Sequence, residues 1–144
     1  MRNGWIPPRS PHSLIQEDLW PNEWLILAAC VLLNCTRRKQ VERVIGRFIN
    51  EWNTPEKFLS YDPSDVIDSL QSLGFVNRRY DRLERLAMHL ANNDSIDHRN
   101  LPSIGEYGSR AYEIFCLGIV GDTCPNDGAL KLYWNWITSV KEKE

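Results

Sequence analysis

From Trp24 to Leu33 every side chain is apolar: Trp24, Leu25, Ile26, Leu27, Ala28, Ala29, Cys30, Val31, Leu32 and Leu33. Pro21 stands before the run and the polar break Asn34-Cys35-Thr36 ends it. A helix that is apolar all round has no face to leave in water, so other elements must surround it. The run is too short to cross a bilayer, which takes about 20 helical residues. The rest of the chain therefore has to supply the cover.

The flanking sequence supplies it as helices. Ser13 to Leu19 reads as a short helix, with Ser13 as N-cap and Gln16 three residues on as a capping box. Pro21 opens the central helix. Thr36 caps a helix over Lys39 to Trp52, whose Val41, Val44, Ile45, Phe48, Ile49 and Trp52 fall at helical spacing. Thr54-Pro55-Glu56 opens a short turn carrying Phe58 and Leu59. Asp62-Pro63-Ser64-Asp65 opens another helix, with Val66, Ile67, Leu70 and Leu73 inward and Gly74 as its C-cap. Asn77 to Asn92 presents Tyr80, Leu83, Leu86, Ala87 and Leu90 on one face. Glu106 to Gly118 and Asn126 or Asp127 to Val140 complete the set. No segment alternates as a strand does, so the expected class is all-α. Residues 1–13, with Pro7, Pro8 and Pro11, form an extended arm on which Trp5 and Ile6 are the docking side chains. Residues 14–140 form one domain, and 141–144 a disordered charged tail.

Charge narrows the function only weakly. The formal net charge is -2 and the pI is near 5.9, which gives no bulk argument for nucleic acid. The basic residues are nonetheless clustered, at Arg37-Arg38-Lys39 with Arg43 and Arg47, and at Arg78-Arg79 with Arg82 and Arg85. Four cysteines, Cys30, Cys35, Cys116 and Cys124, form no C-x-x-C pair, so a zinc knuckle is not expected. With no signal peptide and no membrane-length run, an intracellular protein with reduced thiols is expected, in nucleus, cytoplasm or nucleoid.

Two stretches carry candidate chemistry. Leu101-Pro102-Ser103-Ile104-Gly105-Glu106-Tyr107-Gly108 reads as a tight turn between helices. Glycine permits positive φ and close backbone approach, and N–H groups at a helix start make an anion site, a phosphate among others. A plain helix–helix turn needs the same glycines. Cys124-Pro125-Asn126-Asp127 places one carboxylate at a helix start, where Asp is also a common N-cap. The residues alone leave both pairs of readings open.

Leu101 to Tyr107 resembles the L-P-x-[VI]-G-x-[YK] helix-hairpin-helix of the HhH-GPD DNA glycosylase superfamily. An aspartate about twenty residues beyond the hairpin belongs to the same pattern, and Asp127 falls there. The resemblance is nearest to the thymine glycosylases that carry a methyl-CpG-binding domain. It extends to Pro7-Pro8-Arg9-Ser10-Pro11 with Leu14-Ile15-Gln16-Glu17, to Leu32-Leu33-Asn34-Cys35-Thr36, and to Tyr112-Glu113-Ile114-Phe115-Cys116 with Pro125-Asn126-Asp127. It implies a two-lobed multi-helix fold.

The resemblance also implies roles. Asp127 is the catalytic carboxylate of N-glycosidic cleavage. Ile15, Gln16 and Tyr107 line the pocket for a flipped base. Ser103, Ile104, Gly105, Tyr107, Gly108 and Ser109 hold the DNA backbone, and Thr36, Arg37, Arg38 and Arg78 contact phosphate. Asn34, Cys35, Leu73, Gly74 and Phe75 belong to loops that enter the duplex. Cys35 departs from the arginine of the pattern, so Asn34, Arg37 or the Leu73–Phe75 pair are the alternatives for filling the vacated space. Tyr107 stands where bifunctional relatives carry a Schiff-base lysine, which implies a monofunctional enzyme leaving an abasic site. No cysteine follows Cys124, so no iron–sulfur cluster is expected; the hairpin allows a monovalent cation. The expected partner is double-stranded DNA with thymine or uracil opposite guanine, bound by a monomer. The alternatives are another damaged or modified base, or a silent DNA-binding module.

Overall fold

The apolar run folds as α2, Glu23–Leu33, in the computed structural model, which describes residues 4–126 and 128–143, with side chains to residue 140. Trp24 to Leu32 are all buried. Helix α2 starts two residues after Pro21, because Asn22 accepts the Leu25 N–H and caps it. Four helices pack directly on it: α1 (Ile15–Leu19), α3 (Arg38–Asn50), α6 (Val76–Ala91) and α7 (Glu106–Tyr112). Each of Ile26, Leu27 and Leu32 is fully buried, and truncating one of them to Ala costs about 2–5 kcal/mol.

On one side of α2 the short helices α4 (Pro55–Ser60) and α5 (Pro63–Ser69) lie against α6. This lobe has an aromatic centre. Phe58 meets Trp24, Phe48, Trp52 and Tyr80 at ring-centroid distances of 5.4, 5.9, 5.9 and 5.9 Å. On the other side lie α1, α7 and α8 (Gly128–Lys143). There Tyr133 packs on Phe115 at 4.7 Å. Among the described residues no strand occurs, and the all-α class stands.

The N-terminal arm docks on this second lobe. Trp5 Nε1 donates to Ile114 O, and the Tyr133 hydroxyl donates to Pro8 O. Gly118, at φ +73°, lets the Trp5 ring lie where a Cβ would come within 2.9 Å. Ile6 is 60% exposed and takes no part in the docking.

Several expected boundaries move. Arg37, not Thr36, caps α3, through Gln40 Oε1 accepting the Arg37 N–H; Thr36 turns its hydroxyl onto Leu32 O. The segment before Gly74 is a separate tight turn at Gln71–Leu73, with Gly74 at φ +74°. The helix expected to Gly118 widens after Tyr112 into a π turn, Glu113–Leu117. Helix α6 ends at Ala91, so turns rather than helix lead into the hairpin. Helix α8 continues to Lys143, through the charges read as a disordered tail.

Candidate functional site

A cleft of about 620 Å³ opens between α1, the end of α2, the 101–108 hairpin and the first turn of α8. Its position follows from a one-residue shift in the capping of α1. Glu17, not Gln16, closes that turn: its carboxylate accepts the N–H of Leu14 at 2.7 Å and the N–H and hydroxyl of Ser10 at 2.6 and 2.8 Å. Leu14, not Ser13, is the cap. Gln16 is thereby released from capping and faces the interior, 1% exposed. Its Nε2 donates to the Tyr107 hydroxyl at 2.7 Å and meets Cys30 Sγ at 3.8 Å. Ile15, Gln16, Cys30 and Tyr107 all line the cleft.

The hairpin differs from its expected mechanics. The left-handed residue is Ser103, at φ +68°, and its hydroxyl donates to Arg82 O at 2.8 Å, tying the hairpin to α6. Gly108 is buried because Ile104 folds over it: an added Cβ would lie 2.8 Å from Ile104 Cγ2. It packs against Ile104 and also lines the cleft. Ser109 spends its N–H on Gly105 O inside α7. Gly105 differs from both. It caps α7 at φ -96°, an ordinary conformation, and among the described residues no atom lies within 4 Å of a Cβ built on it. No described residue requires glycine there.

Beside the cleft the end of α2 reverses through Asn34 and Cys35, both exposed, with Cys35 at φ +60°. Thr36 and Arg38 also line the cleft. Arg38 is held by Glu42 at 2.7 Å and by Ser13 O. A second reversal, Gly74-Phe75, stands apart from the cleft. Phe75 is left-handed at φ +46° and 70% exposed, with the Arg78 guanidinium 5.8 Å from its ring. Leu73 is buried, 5% exposed, and packs with the core. Arg37 and Arg78 are exposed but lie outside the cleft lining.

Asp127 lies outside the described residues. Its neighbour Gly128 lines the cleft with Ala129 and Leu132, and Pro125 and Asn126 flank Tyr107 in a smaller adjoining hollow. The segment leading there is braced by Arg110, which donates to Val120 O at 3.1 Å and Thr123 O at 2.7 Å. Arg110 in turn pairs with buried Glu113 at 3.1 Å, and His98 bonds the same carboxylate at 2.9 Å. Burial alone would raise the Glu113 pKa, but these partners outweigh it and hold the carboxyl below its ordinary value.

In the sequence Arg79 and Arg82 stand out only as members of a basic cluster, and Arg110 not at all. Arg82 lines the cleft with Arg38 and adds a cation there. Arg79 is buried, and burial lowers its pKa from the usual arginine value, although arginine stays charged. One signal was available: Arg79 lies four and seven residues before Leu83 and Leu86, on the apolar stripe of its helix. Among the described residues no group of three or more His, Cys, Asp or Glu is placed to hold a metal ion. No helix there is long and apolar enough to cross a membrane.

Comparison with known proteins agrees with this geometry. A family profile described as HhH-GPD superfamily base excision DNA repair protein matches residues 28–144. The methyl-CpG-binding domain protein 4-like protein of Arabidopsis thaliana is 31% identical over 135 residues, covering 94% of this chain and 30% of that protein. The thymine-DNA glycosylase of Aeropyrum pernix is 28% identical over 93 residues, 58% of this chain and 41% of that protein. The solved structure of a thermostable thymine-DNA glycosylase superposes with a TM-score of 0.62 at 22% identity, covering 67% of this chain and 48% of that one. That likeness fixes the fold. The chain spans less than half the length of each of these relatives.

Proposed function

The chain belongs to the HhH-GPD superfamily of base excision DNA repair proteins, and on that premise we propose that it is a monofunctional DNA glycosylase acting on thymine or uracil opposite guanine. The observation that carries the proposal is the Gln16–Tyr107 pair in the cleft, with Gly128, next in the chain to Asp127, on the cleft lining. A base removed from the duplex needs a pocket with an aromatic wall and a hydrogen-bonding edge. Tyr107 offers the first. Gln16, with amide donor and acceptor, is suited to the second. The duplex pays a few kcal/mol to unstack a base, and less at a mispair.

In this reading Asp127 stabilises the oxocarbenium-like transition state and helps water attack the sugar carbon. The glycosidic bond breaks, the base leaves, and an abasic site remains. Tyr107 has no amine to form a Schiff base, so strand cleavage does not follow. Gly105, on the cleft lining and with open space among the described residues where a Cβ would stand, is the point at which a phosphate approaches the backbone. Arg38 and Arg82 supply positive charge at the cleft despite the net charge of -2.

The test uses duplexes with G·T, G·U and G·C central pairs, followed by hot alkali. Strand breaks are expected at G·T and G·U only after alkali, with loss of product in Asp127→Asn while DNA is still bound. Breaks without alkali would refute the monofunctional assignment. Product only from duplexes carrying other damaged bases would move the substrate and keep the chemistry. Binding with no product from any lesion would leave a DNA-binding module.

A further inference from the structure

We propose that Arg79 is a positioning residue that fastens the Asn34-Cys35 reversal and the Gly74-Phe75 reversal into one unit, so that both meet a bound duplex in fixed register. The inference deepens the reading above and rests on it for the identity of the partner. Arg79 lies on α6 and is 4% exposed. Its Nε donates to Gly74 O at 2.8 Å and one terminal nitrogen to Leu73 O at 3.4 Å. The other terminal nitrogen donates to Asn34 O at 2.7 Å and Leu32 O at 3.4 Å. One guanidinium therefore holds four carbonyls, one in each reversal and one in the residues leading into it, in segments about forty residues apart in the chain. Among the described residues no carboxylate pairs with it.

A buried charge without a counter-charge is costly, and a hydrophobic residue would fill the same space. What the guanidinium provides is its planar fork of donors, fixed in relative direction, which no other side chain matches. The segments it joins are unusual in the same way. Each reversal carries one non-glycine residue in the left-handed region, Cys35 at +60° and Phe75 at +46°. Such conformations persist only where the surroundings hold them. At one tip stands Phe75, 70% exposed; at the other, exposed Asn34 and Cys35. Exposed basic side chains, Arg37, Arg38, Lys39 and Arg78, flank the two tips. An apolar tip, a polar tip and flanking cations fit insertion into a base stack from one face of the protein. Insertion at two points needs the separation of the tips to be set before binding, and Arg79 is the group that sets it.

The test binds full-chain protein to a duplex holding a tetrahydrofuran abasic analogue opposite guanine, with 2-aminopurine beside the analogue. Insertion of side chains unstacks 2-aminopurine and raises its fluorescence. Arg79→Lys keeps the charge and stem but loses the fork, and is expected to lower the insertion equilibrium by about tenfold, the factor that one lost charged hydrogen bond carries. Its thermal midpoint is followed alongside. Phe75→Ala is expected to lower the rise as well. The double variant should fall no further than the worse single one, because both changes disable one device. Multiplying effects, a wild-type signal from Arg79→Lys, or wild-type binding with no fluorescence change would each overturn the proposal. So would loss of the fold in both Arg79→Lys and Arg79→Gln, which would leave the residue a purely structural role. The probe contains no excisable base. A protein that inserts its loops yet removes no mispaired base would sink the excision reading and leave the role of Arg79 standing.

Discussion

Gln16 Nε2 and the Tyr107 hydroxyl, 91 residues apart in the chain, meet at 2.7 Å and join α1 to the first turn of α7. The bond is both part of the fold and part of the cleft, and substitutions can separate the two roles. Tyr107→Phe leaves the buried Gln16 amide short of a partner, at an expected cost of about 1–3 kcal/mol. Adding Gln16→Leu removes the orphaned group, so the double variant should regain most of the lost thermal stability. Excision should stay lost in the double variant. Calorimetry beside single-turnover kinetics checks this, and recovery of activity together with stability would show the pair to be structural only.

Gly105 and Gly108 should respond oppositely to the same change. Gly108→Ala drives a Cβ to 2.8 Å from the branched, stiff Ile104 Cγ2, with Cys30 Cβ at 3.5 Å to receive any displacement. The expected loss is about 1–3 kcal/mol, as for other overpacked cores, eased by Ile104→Ala. Gly105→Ala meets no atom of the described residues within 4 Å. It reduces unfolded-state freedom but weakens the N-cap, so stability should hold within about 0.5 kcal/mol. DNA affinity should fall instead, if phosphate approaches at that point. Denaturant melts and a binding titration at fixed salt read the two effects separately.

The Glu113 carboxyl gives the fold an acid limit. Its pKa in the folded state lies below the ordinary 4.5, because the bonds from His98 and Arg110 outweigh burial. A depressed carboxylate adds stability that is complete above the unfolded value and is lost as pH falls through the folded one. Stability should therefore hold down to about pH 5 and decline below about 4.5. Glu113→Gln should be less stable at pH 7 and show a shallower decline in acid. Equal slopes for the two proteins between pH 5 and 3 would remove Glu113 from the account.

Glu17 secures the arm. Three donors from Ser10 and Leu14 converge on its buried carboxylate. Glu17→Ala leaves those donors without it, and about 2–4 kcal/mol of stability should go with them. Limited proteolysis should then cut near Pro8 to Ser13 in the variant first. Cleavage at the same rate in the wild type would show the arm to be held by Trp5 and Tyr133 alone.

The features legible in the sequence are those a one-dimensional pattern encodes. The run at Trp24 to Leu33 demanded a surrounded helix, and α2 is surrounded. The stripes on α3 and α6 gave their buried faces, although Ile49 proved 45% exposed. Gln16 and Tyr107 were paired by resemblance, and they do touch. What stayed hidden depends on register and on distance in three dimensions. A one-residue shift at Leu14 decided whether Gln16 capped a helix or faced the cleft. Arg78 and Arg79 look alike as letters, yet helical phase exposes one and buries the other. Ser103 in the left-handed region, with two glycines nearby, has no signature in composition. Leu73 and Phe75, two residues apart, differ from 5% to 70% exposed, a contrast that the letters do not show.

The fastening of Pro8 to Tyr133 joins opposite ends of the described chain, and the cleft lies among the pieces that this fastening gathers. His12 and Leu132 both line that cleft, so its wall closes only when segments from both halves of the chain are in place.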